Sequence, residues 1–140
     1  MTRTRIAAVA GCLFVAASAL AAASPPPAAL TKAAPGLWEI AGLPGAQGPA
    51  RECVGDVALL ARFEHRGRSC SHKVLKTDES SALVDYNCGD RDFGRSKLTV
   101  LTPRSLRIET QGISEGMPFN YVLQARRAGE CPAKAAVAGH

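Results

Sequence analysis

The chain has 140 residues, with 17 Lys and Arg against 12 Asp and Glu, for a formal net charge of +5. At 46% hydrophobic and 21% charged residues it can bury one core, which excludes wholesale disorder, and its length suits a single domain. Aromatic residues make up only 5%, which is poor for base stacking, and the basic excess has no nucleic-acid motif beside it. Nucleic acid is therefore not an expected partner.

Residues 1–23 read as a secretory signal peptide: "MTRTR" is a basic n-region, "IAAVAGCLFVAASAL" an apolar h-region, and "AAAS" supplies small residues for cleavage after Ala23. Two rivals are a retained signal anchor and a lipoprotein box, "VAGC", ending at Cys12. Membrane contact is expected only if the leader is retained or Cys12 is lipidated. Cleavage removes Arg3 and Arg5, leaving 15 − 12 = +3 on the mature chain. The expected location is the bacterial periplasm or the exterior. There an even set of four cysteines, Cys53, Cys70, Cys88 and Cys131, favours two disulfides. A four-cysteine zinc site would want close pairs, and these gaps are far wider.

Residues 24–34, rich in Pro and Ala, read as an extended spacer before a domain at 35–132. "LWEI" (37–40) is strand-like after a Pro-Gly turn, and "AGLPGAQGPARE" (41–52) reads as a loop. "GDVALLARFEH" is the one helix candidate. Asp56 caps its start, Leu59, Leu60 and Phe63 face the core, and Gly67 stops it.

Beyond residue 69 the hydrophobic period approaches two. A hairpin placing Cys70 opposite Cys88 also pairs His72 with Tyr86 and Val74 with Val84 on a mainly apolar face. Lys73 then meets Asp85, and Leu75 meets Leu83, on the other face. Opposed cysteines are within reach of a disulfide, which leaves Cys53 for Cys131. A second hairpin turns around Pro103, with Val100 opposite Leu106 and Leu98 opposite Ile108. "QGISEGM" reads as a loop. "PFNYVLQARR" alternates with Phe119, Tyr121, Leu123 and Ala125 on one side, and 133–140 reads as a disordered tail. The expected fold is mainly β (α+β): an antiparallel meander sheet, open or curled into a partial barrel, with one short helix and two disulfides.

With these landmarks placed, the chain resembles the exported bacterial family classified as domain of unknown function 3617. The matching pieces are "PGLWEI" (35–40), "ARECV" around Cys53, Cys70, Cys88, and "ARRAGECP" (125–132). The resemblance covers roughly residues 34–132. The loop after "PGLWEI" lacks the methionines common in the family. The resemblance implies export and a small cysteine-bearing domain, and it carries no activity or catalytic residue.

Four features bear on chemistry. "GISEG" (112–116) matches the G-x-S-x-G nucleophile elbow around Ser114, but a strand-like segment follows where that elbow needs a helix. Arg62, His65, Arg66, Arg68 and Lys73, with His72 among them, form a basic cluster suited to an anion or to a solvated helix end. His65 and His72 lack an evident third metal ligand, so no metal or other cofactor is expected. Trp38 reads as a core anchor, and Asp90 and Asp92 as turn decoration. The functional expectation is a non-enzymatic envelope module that binds a small ligand or a protein. The alternatives are a hydrolase-like periplasmic enzyme using His65 or His72, and a protein-interaction module without a ligand cavity.

Overall fold

The computed structural model describes residues 26–133. The leader, Cys12 and residues 134–140 of the tail lie outside this range. Seven strands form one antiparallel sheet: β1 (Gly36–Ala41), β2 (Ala50–Val54), β3 (Ser71–Thr77), β4 (Ser81–Gly89), β5 (Asp92–Thr102), β6 (Ser105–Ser114) and β7 (Met117–Gly129). The order across the sheet is β2-β1-β7-β6-β5-β4-β3. The last five strands are thus a meander, and β1 returns to pair with β7. The sheet does not close, because β2 and β3 are its two free edges.

Period-2 alternation sends one set of side chains into the core and the next to solvent. Trp38, Ile40, Leu98, Leu106, Ile108 and Leu123 are fully buried on the inner face. Burying a large aliphatic or aromatic side chain contributes roughly 1.5–3 kcal/mol. The register is the one the alternation predicts, with Val100 opposite Leu106 and Leu98 opposite Ile108. Trp38 is a core anchor, and its indole N–H donates to the Ala34 carbonyl at 3.1 Å.

The helix candidate is a 3-10 helix, Val57–His65, kinked at Arg62. The Asp56 carboxylate caps it by accepting from the Ala58 N–H at 2.9 Å. With three residues per turn, side chains three apart share a face. That places Val57, Leu60 and Phe63 in the core and turns Leu59 out to 47% exposure, against the α-helical reading that put Leu59 inside.

Three further expectations are corrected. Residues 50–52 of the 41–52 stretch, read as loop, belong to strand β2 (Ala50–Val54), which pairs with β1 and sets Leu37 opposite Cys53. The stretch 26–34 is not merely a spacer: a 3-10 turn at Leu30–Lys32 buries Leu30 and Ala33 against the core. Most of "QGISEGM" is strand, since β6 runs to Ser114 and β7 begins at Met117.

Both disulfides form as the hairpin reading requires. Cys70 pairs with Cys88 at a Cα separation of 4.1 Å, and Cys53 with Cys131 at 5.5 Å. In the hairpin, His72 meets Tyr86, Lys73 meets Asp85 and Val74 meets Val84. A bulge at Leu75 then shifts the partner of Leu83 to Lys76. The apolar face exists on β4 alone, where Ala82, Val84 and Tyr86 are buried, whereas every residue of β3 is exposed. An edge strand with Lys73, Lys76 and a bulge is poorly suited to pairing with another chain.

Candidate functional site

The basic cluster does not form one pocket. Arg62 donates to the Arg68 carbonyl. Arg66 lies over the Phe63 ring, 4.5 Å from its centroid, and 3.5 Å from a Glu52 carboxylate oxygen. Arg68 pairs with the buried Asp92 and donates to the Cys88 carbonyl at 3.3 Å. His65 is buried, with Nδ1 3.2 Å from the Tyr86 hydroxyl and Nε2 without a hydrogen-bond partner. Burial raises the Tyr86 phenol to about 12, so it stays protonated there. Lys73 stands on the edge strand facing Asp85.

Lys73 belongs instead to a groove of about 700 Å³ across strands β3–β7. Register builds it. Ser71, Asn87, Phe93 and Ile113 form one cross-strand row. Lys73, Asp85, Arg95, Gln111 and Asn120 form a second. By alternation both rows point away from the face that buries Trp38 and Leu98. The row between them carries Gly94 and Gly112, and it keeps the strands close. A Cβ on Gly112 would stand 2.1 Å from the Phe93 carbonyl oxygen.

One end of the groove is apolar, with Phe93 46% exposed beside Ile113. The centre is charged. Arg95 grips the Asp85 carboxylate in a two-point fork, Nε to Oδ1 at 2.5 Å and an Nη to Oδ2 at 2.9 Å. That contact, before the smaller effect of Lys73, holds the Asp85 carboxyl below its usual range. Lys73 and Arg95 thus outnumber Asp85 among the charges lining the groove. Amide side chains from Asn87, Gln111 and Asn120 add donors and acceptors.

The other sequence candidates resolve into structure. In "GISEG", Ser114 pairs with Met117, and Glu115 and Gly116 have φ of 51° and 77°. Two positive-φ central residues mark a tight hairpin turn rather than a strand-to-helix elbow. Asp90 is exposed in the β4–β5 turn. Asp92 is more than turn decoration: buried, it pairs with Arg68 and accepts from the Glu115 N–H at 2.9 Å, tying two turns together. Neither His65 nor His72 has a carboxylate within hydrogen-bond reach among the described residues. No cluster of metal-ligating side chains occurs among them, and no helix there is long and apolar enough to cross a membrane.

Sequence reasoning found Lys73 and Asp85 but missed Phe93, Arg95 and Ile113. The alternation "DFGRSK" carried the available signal: Phe93 and Arg95 share the face opposite Ser96 and Leu98. No family model, no curated protein and no solved structure matches the chain.

Proposed function

We propose that this protein is a non-enzymatic binding module exported to the bacterial envelope, and that the open groove holds a small amphiphile with an acidic head. The observation that carries the reading is the arrangement of the groove, with exposed Phe93 and half-buried Ile113 at one end and Lys73 and Arg95 beside them. Apolar surface with a few converging polar groups is the usual composition of a ligand site. Two disulfides agree with an oxidising compartment. The landmarks shared with domain of unknown function 3617 belong to the same proposal. Gly36, in "PGLWEI", has φ +145° and no room for a Cβ, which would lie 2.5 Å from the Gly129 carbonyl of "ARRAGECP". The two pieces therefore depend on each other physically.

A hydrolytic role draws no support from His65, which faces a phenol, or from His72, which stands on an exposed edge strand. Native mass spectrometry on protein taken from its host's envelope tests the binding reading. Extra mass that leaves on denaturation is expected. A bare mass would move the weight to a protein partner.

A further inference from the structure

We propose that the cleft between Glu64, near the end of the 3-10 helix, and the β6–β7 turn binds a small organic ammonium ion. This cleft has a volume of about 560 Å³, and neither Lys73 nor Arg95 lines it. Its charged lining residues are Glu64 and Glu115, with no Lys, Arg or His among the rest, in a chain whose net charge is +5. Local charge thus runs against the charge of the whole molecule. The aromatic lining comes from Phe119 and Tyr121, with ring centroids 5.6 Å apart and planes tilted by 42°. Leu43 and the exposed Met117 add apolar surface.

Aromatic faces, a thioether and carboxylates without a competing cation suit a positive charge carried on methyl or methylene groups. Tyr121 donates its hydroxyl proton to Glu64 Oε2. Burial first, and then this contact, raise the Tyr121 phenol well above its usual range, so it remains a donor. The bond fixes the carboxylate and leaves Oε1 free of hydrogen bonds among the described residues. Arg66, whose charge acts on Tyr121 against that shift, is engaged by Glu52 and the Phe63 ring. The inference does not depend on the reading of the groove.

NMR titration of the oxidised protein with choline, and with dimethylbutanol as its uncharged carbon isostere, tests the site. Choline is expected to move the resonances of Met117, Phe119 and Tyr121, and dimethylbutanol to leave them in place. Glu64→Gln should weaken choline binding about tenfold and Glu115→Gln about threefold. Glu115 lies in an exposed turn, so the second variant and the isostere pair still decide the matter if the first fails to fold. Equal shifts with both probes, no shift with either, or unchanged affinity in the folded variants would overturn the proposal.

Discussion

Asp78 holds the β3–β4 turn through its carboxylate. Oδ1 accepts from the N–H groups of Ser80 at 2.9 Å and Ser81 at 2.7 Å, and Oδ2 accepts from the Ser81 hydroxyl at 2.7 Å. The Ser81 hydroxyl bond, followed by the backbone bonds, lowers its pKa from 3.8 to about 2. A depressed folded-state pKa contributes stability that is present above the unfolded value and lost as pH falls through the folded one. The affected window therefore runs from 3.8 down to about 2. Asn at this position keeps an acceptor but cannot titrate. Acidification across the window should lower the melting temperature of the wild-type protein more than that of Asp78→Asn. Superimposable pH–melting curves would contradict this. The same turn resolves a difficulty in the sequence, since "DES" lacks the glycine that short hairpin loops favour. An aspartate accepting from the next backbone N–H groups supplies the turn geometry in its place.

At the scale of elements, the meander was legible wherever alternation was clean on a strand with one buried face. Leu98, Val100, Leu106 and Ile108 fixed both the face and the register of β5 and β6. Strand β2 was hidden because "ARECV" buries only Val54 and follows a run of glycine and proline. The burial pattern of the 3-10 helix was misread because residue spacing alone cannot tell three residues per turn from 3.6. The groove was the least legible part. It lies on the solvent face, where Arg95 and Gln111 look like ordinary surface until register sets them beside Asp85. Gly112 gives the sharpest test at this scale. An added Cβ would approach the Phe93 carbonyl oxygen at 2.1 Å and the Gly94 Cα at 2.6 Å, so β5 and β6 would have to separate. Gly112→Ala should cost about 2–3 kcal/mol in a denaturant melt. Gly116→Ala, with nothing within 4 Å but φ at +77°, should cost only about 1 kcal/mol. Equal costs would mean that the close strand approach at Gly112 is not what requires glycine.

For the whole molecule, the disulfides close the two ends of the sheet. Cys70–Cys88 joins the start of the edge hairpin, and Cys53–Cys131 joins β2 to the residues after β7. Their sequence separations of 18 and 78 correspond to about 3 and about 4.5 kcal/mol in the chain-entropy description. A domain of this size is stable by only about 5–15 kcal/mol. Strong reductant should therefore lower the melting temperature markedly, and an unchanged curve would show that the core alone carries the fold. The one-sided core also sets where function can lie. The inner face is filled by Trp38, Ile40 and their neighbours, and the groove opens on the other face.

The most direct test compares the native mass of protein drawn from its host's envelope with that of Phe93→Ala and Arg95→Ala, both at exposed groove positions. Wild-type protein should carry a mass that is lost on denaturation, and each variant should arrive without it or with much less. The same mass retained in full by both variants would place the ligand elsewhere and contradict the groove as the binding site.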